Sequence, residues 1–222
     1  MELKGLKINF LGDSITEGTG TSGVDKTYWS LIGKEYGATV RGYGIGGTRF
    51  ARQKTPSAKA RHDLDFCMRY PDMDDDADVV VVFGGTNDFG HGDAPLGDLN
   101  DRTQDTFCGA CHTLFEGLIN KYPEAVIVVM TPLHRCNEDN LRGDGNKAED
   151  VAPLSTYVEI IKKIASYYSL PLLDLWSVSS IQPKVQILKE KYCPDGLHPN
   201  DEGYKVMFKL LMDELGLARS VE

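Results

Sequence analysis

Residues Ala77 to Phe83 read Ala-Asp-Val-Val-Val-Val-Phe, and this run constrains the fold more than any other stretch of the chain. Consecutive β-branched residues favour a strand, and a strand with no polar alternation must be covered on both faces. Lys7 to Leu11, Ala125 to Met130 and Leu170 to Leu175 read as further apolar strands, and Ala38 to Val40 begins one that ends in a glycine-rich loop through Gly47. Helical spacing lies between them: Thr27 to Tyr36, Thr103 to Tyr122 with Phe107, Cys111, Leu114 and Leu118 on one stripe, Pro153 to Tyr168, and Asp201 to Leu215. Strands alternating with helices predict βαβ units, hence a three-layer α/β/α sandwich around a five-stranded parallel sheet, in one domain over residues 1–222. Right-handed crossovers then bring every strand's C-terminal end to one edge, where open α/β sheets bind ligands.

A length of 222 residues suits one such domain, and a net charge of −9 argues against nucleic acid or an anionic membrane as a standing partner. No apolar run is long enough to span a bilayer. Ile8 to Leu11 is too short for a signal-peptide core, and five cysteines are an odd number for a disulfide framework. Reduced thiols in the cytoplasm are the expectation. The polar segment Leu133 to Asp150 is long enough for a lid or binding loop.

Four short blocks carry chemistry: Gly12-Asp13-Ser14, Gly46-Gly47, Gly85-Thr86-Asn87-Asp88 and Asp195-Gly196-Leu197-His198. Ser14 offers a hydroxyl that needs a base, and His198 is the candidate base. Asp195, three residues earlier between Pro194 and the histidine, is placed to orient the imidazole. The Asn87 amide with the Ser14 and Gly47 backbone N–H groups makes an oxyanion-hole set. Each block has a bland counterpart. Ser14-Ile15-Thr16-Glu17 matches a helix capping box, Gly46-Gly47 a plain turn, Asn87-Asp88 a loop cap, and Asp195-x-x-His198 a solvated loop. Their joint presence favours acyl transfer. Asp13 and Asp88 are expected to brace loops through backbone amides, with no metal and no cofactor.

Cys108-x-x-Cys111-His112 matches a haem-attachment string but falls inside an amphipathic helix, so core cysteines are expected. The acidic run Asp72 to Asp78 reads as a solvated loop. Arg49, Arg52, Arg61 and Arg69 with Lys54 and Lys59 read as a surface helical face, with an anion-binding role as the alternative. Phe89, His91 and Arg135 follow strands at the reactive edge and are candidate substrate-binding residues.

On these blocks the chain resembles the SGNH (GDSL-type) hydrolase superfamily, from Ile8 to beyond Asn200. The resemblance implies a flavodoxin-like sandwich in which Ser14 is the nucleophile, Asp195 and His198 complete the triad, and Gly47 and Asn87 join Ser14 in the oxyanion hole. It departs at Gly42, where the family's second block usually opens with asparagine. The implied activity is that of a serine esterase on a small-molecule substrate; the resemblance does not choose the ester, and the scarcity of long apolar segments favours a small acyl group, acetyl or short-chain, carbohydrate deacetylation included. A thioesterase or lipase of the same family, and a non-catalytic sugar- or acyl-binding domain, are the alternatives.

Overall fold

The computed structural model describes residues 3–216. Its strands are β1 Lys7–Gly12, β2 Thr39–Gly44, β3 Val79–Phe83, β4 Val126–Met130 and β5 Leu172–Leu173. They pair in the order β2-β1-β3-β4-β5, every pair parallel, which is the flavodoxin-like arrangement expected. The valine run is the central strand, and all of its residues are buried. The helices are α1 Ser14–Glu17, α2 Tyr28–Tyr36, α3 Phe66–Arg69, α4 Thr86–His91, α5 Phe107–Lys121, α6 Leu154–Tyr167, α7 Leu175–Val178, α8 Gln186–Tyr192 and α9 Asp201–Glu214.

Side chains alternate across the pleat and so divide the core in two. Phe10, Val79, Val81 and Val128 pack with Tyr28 and Ile32 of α2 and Met207 and Leu211 of α9. Leu11, Val80, Val82 and Val129 pack with Phe66 of α3, Phe115 of α5 and Ile161 of α6. Asn9 is the polar exception in β1; its buried amide donates to the Asp74 carbonyl at 2.8 Å.

The differences from the expected boundaries have local causes. Helix α5 starts at Phe107 because the Thr106 hydroxyl accepts from Gly109 N–H at 3.1 Å and caps it, leaving residues 103–105 in a turn. Strand β5 is limited to two residues, since Pro171 offers only its carbonyl and Leu175 already begins α7. Strand β2 runs on to Gly44. Gly42 lies within it against the indole of Trp29, and a Cβ there would sit 2.5 Å from Trp29 Cζ2. The unusual glycine therefore makes room for Trp29, whose Nε1 donates to the Thr16 carbonyl at 2.8 Å.

The basic stretch forms no helical face. Residues 49–65 are mostly irregular, with one short 3₁₀ turn at Ala60–Asp63, and Arg49 is 2% exposed. Part of the acidic run is paired: Asp76 with Lys7 and Arg41, and Asp75 with Lys121. All five cysteines are unpaired. Burial pushes the Cys111 thiol well above its ordinary range and Cys108 up to about 11, while the His112 ring bridges the Tyr168 hydroxyl and the Leu99 carbonyl. Cys108 and Cys111 are core residues, as expected. Among the described residues no helix is long and apolar enough to cross a membrane.

Helix α9 is tied to the start of the chain by Tyr204, which is fully buried and donates its hydroxyl to the carbonyls of Ile15 and Thr19, at 2.6 and 2.9 Å. In Tyr204→Phe the Ile15 carbonyl keeps the Gly18 N–H, whereas the Thr19 carbonyl loses the hydroxyl that donates to it. The expected loss is about 1–3 kcal/mol, read as a lower urea midpoint at unchanged slope.

Candidate active site

Strand β1 ends at Gly12, and the chain turns directly into α1, where Asp13 is the N-cap: its Oδ1 accepts from Ile15 N–H at 3.0 Å. Ser14 is thus the first helical residue, and its hydroxyl is not spent on capping. Nor does Glu17 reach back to close a capping box. Its Oε2 accepts from Gly46 N–H at 2.7 Å and its Oε1 pairs with Arg61 at 2.5 Å.

Ser14 Oγ lies 3.0 Å from His198 Nε2, and His198 Nδ1 lies 2.7 Å from Asp195 Oδ2. Asp195 Oδ1 accepts from the N–H groups of Leu197 and His198, which folds the loop so that the carboxylate lies beside the imidazole. Partial burial pushes the Asp195 carboxyl upward, but the His198 amide and ring and the Leu197 amide outweigh it and hold the group below the usual carboxylate range. A carboxylate that stays charged fixes the proton on Nδ1 and leaves Nε2 to accept from Ser14.

Gly47 adopts φ +81°, a conformation that L side chains rarely hold, and a Cβ there would overlap the His62 ring. Asn87 is the second residue of α4, a helix the sequence did not announce, entered through Gly85 at φ +101°. Asn87 Nδ2 donates to the Thr48 carbonyl at 3.0 Å. That bond fixes which end of the amide is nitrogen, and its second N–H is free for a ligand. Ser14 at the start of α1, Asn87 at the start of α4, Gly47 in the loop after β2, and Asp195 and His198 in the loop before α9 thus come from four separate segments of the chain.

Several side chains hold these loops. Asp88 accepts from the N–H groups of Phe50 and Ala51, at 3.0 and 2.9 Å. Arg69 donates to the carbonyls of Gly12 and Tyr43, at the ends of β1 and β2, and to the Thr48 hydroxyl. The bracing roles expected of Asp13 and Asp88 agree with this geometry. Those of Arg69, Glu17 and Thr48 were missed, and only Thr48, which directly follows Gly46-Gly47, carried any signal in the sequence.

Comparison with known proteins follows the same blocks. The profile of the GDSL-like lipase/acylhydrolase family matches residues 10–206. The chain belongs to that family. No curated protein sequence matches it. One solved crystal structure is 31% identical over 97% of this chain and 98% of its own, with a TM-score of 0.81. A Lactobacillus plantarum protein is 25% identical over 98% and 99%, with a TM-score of 0.82. A variant of a Geobacillus acetyl-xylooligosaccharide esterase shares the fold at 20% identity over 97% of each chain, with a TM-score of 0.61. As a GDSL-family member the protein is a hydrolase of ester bonds.

Two expected substrate contacts of this GDSL hydrolase need correction. Phe89 is 0% exposed and packs edge-on against Tyr157, because α4 turns that face into the core. Arg135 is 4% exposed, and its guanidinium is engaged by Thr86, Asn137 and Asp144. Both support the site from beneath. His91 alone of the three lines an open cleft. The segment at 133–150 is pinned as well: Lys147 Nζ donates to the Asp88 carbonyl and the Tyr157 hydroxyl, at 2.9 and 3.0 Å.

Complete burial pushes the Asp13 carboxyl up to about 6, against the opposing Ile15 amide and the charges of His198 and Arg69. A native pKa above the unfolded value means that the group's stabilising contribution is full below about pH 4 and is lost as pH rises through about 6. His91, which burial and Arg49 hold down to about 4, titrates with the opposite sign in the same window, so whole-protein profiles partly cancel. A difference between variants isolates Asp13. Asp13→Asn keeps an oxygen for Ile15 N–H, and its stability relative to wild type is expected to rise by roughly 3 kcal/mol between pH 4 and 7. Urea melts of both proteins across that range check it; parallel profiles contradict it.

Proposed function

We propose that this chain is a serine esterase acting by an acyl-enzyme, with a small acyl group, acetyl or short-chain, as its preferred cargo. The observation that carries the reading is the continuous contact from Asp195 through His198 to Ser14. His198 Nε2 takes the Ser14 hydroxyl proton while Oγ attacks the ester carbonyl. The developing oxyanion is held by the Ser14 and Gly47 N–H groups and the free Asn87 amide proton. His198 then gives its proton to the departing alkoxide, and a water activated by the same ring releases the acid. No cofactor enters these steps, and one domain carries the whole site.

The small, polar acyl preference rests on what surrounds the nucleophile: the Glu17–Arg61 pair, Gly46, and His62 against Gly47. A long alkyl chain gains little against such groups. The distant Geobacillus neighbour, named for acetylated xylooligosaccharides, is consistent with a carbohydrate acetyl ester. Five unpaired thiols support a cytoplasmic location.

Hydrolysis of p-nitrophenyl acetate, butyrate and octanoate tests the reading. Ser14→Ala and His198→Ala are expected to lose roughly 10³-fold or more in kcat, and Asn87→Ala about 10²–10³-fold. Rates that climb toward octanoate contradict the small-acyl preference. Equal rates for wild type and Ser14→Ala, with no fluorophosphonate labelling of Ser14, contradict the mechanism itself.

A further inference from the structure

Helix α4 carries Asn87 at its start and His91 at its end, so one rigid turn links the oxyanion donors to a second feature. That feature is a cleft of about 510 Å³ lined by His91, Asp93, Pro95, Asn146 and Glu149, with Lys54 at its rim. A pair of imidazole rings joins the Gly47 loop to the cleft. His62 lies against Gly47, and the His62 and His91 rings are 5.7 Å apart.

The state of His91 follows from its partner. Arg49 Nη1 lies 3.2 Å from His91 Nδ1, and a guanidinium only donates. Nδ1 must therefore accept, which puts the ring's proton on Nε2. Arg49 cannot swing away: its Nη2 also donates to the Ser57 hydroxyl, the His62 carbonyl and Asp63 Oδ1, all between 2.8 and 2.9 Å. Nε2–H has no partner among the described residues. Burial and the Arg49 charge also keep the ring neutral by holding its pKa down to about 4, so His91 is a fixed donor at neutral pH and no base.

We infer that His91 is a specificity-determining residue whose Nε2–H donates to an oxygen on the alcohol part of the ester, so that the cleft selects esters of oxygen-rich, carbohydrate-type alcohols over apolar ones. The inference rests on Ser14 being the nucleophile, and it concerns the half of the substrate that leaves first. The cleft suits such a group. Asp93 is fixed in place by the N–H groups of Lys54 and Thr55 at 2.8 Å each, which leaves carboxylate lone pairs for hydroxyls. Asn146 and Glu149 add an amide and a second carboxylate, and Pro95 adds an apolar surface for a ring face. A site built to hydrogen-bond rejects an analogue lacking the partner atom far more strongly than an apolar pocket does.

The test keeps the acyl group constant and changes the alcohol. Kinetics on triacetylated methyl β-xyloside and on 1-naphthyl acetate are compared for wild type, His91→Phe, His91→Gln and Ser14→Ala. His91→Phe is expected to lower the xyloside-to-naphthyl ratio of kcat/KM by about tenfold, mainly through KM, and His91→Gln, which retains an N–H donor, to recover part of it. In the wild type, two-bond ¹H–¹⁵N spectra are expected to show His91 with Nδ1 unprotonated from about pH 5 to 8. An unchanged ratio in His91→Phe, or a protonated Nδ1, overturns the inference. If wild type is no faster than Ser14→Ala on either ester, the nucleophile assignment is what fails, and the inference falls with it.

Discussion

The bond from Ile15 N–H to the Asp13 carboxylate decides what Ser14 is for. A serine entering a helix ordinarily folds back to accept an amide two or three residues on. Here Asp13 takes the cap position one residue earlier, accepting from Ile15 N–H, so the Ser14 hydroxyl is left to meet His198. Occupying the cap has a cost, because the carboxyl is fully buried and its second oxygen has no partner. That cost falls next to the proposed nucleophile, where a rigid helix start would also present the Ser14 amide and the positive end of α1 to an oxyanion.

The same logic runs through the loops around it. Loops at the ends of parallel strands lack a ladder of their own, so their amides and carbonyls must find other partners. Glu17 takes the Gly46 amide, Asp88 takes two amides of residues 50–51, and Arg69 takes the carbonyls at the ends of β1 and β2. Charged side chains do this better than neutral ones, since charge-assisted bonds are about twice as strong. Paired against each other at close range, they also offset much of their own burial. Arg49 sits with Asp63, and Arg135 with Asp144.

This explains what was legible in the sequence and what was not. Strand type, sheet direction and the convergence of the blocks are carried by apolar pattern, which is a local signal: the valines at 79–82 declare a doubly covered strand without reference to any partner. Ser14, Asn87, Asp195 and His198 could be picked out because each adjoins such a strand or a terminal helix. The braces could not. Whether Arg49 faces water or lies 2% exposed depends on Ser57, Asp63 and His91, and nothing in a run of basic residues encodes that. Phe89 and Arg135 were assigned to the pocket because residues just past strand ends usually face it. Helix α4 rotates Phe89 inward instead, and Arg135 follows it to cover the ring, with its guanidinium carbon 5.3 Å from the centroid.

The arrangement of α4 then ties the two halves of substrate recognition to one element. Asn87 and His91 are four residues apart, so they lie one above the other on the same helix face. Asn87 is oriented by the Thr48 carbonyl, and His91 by Arg49, both from the loop that follows β2. A shift of that loop moves the proposed oxyanion donor and the proposed specificity donor together. Under the proposed roles, acyl chemistry and alcohol recognition are coupled mechanically, and the rigidity that Asp88, itself a residue of α4, supplies through the Phe50 and Ala51 amides serves both.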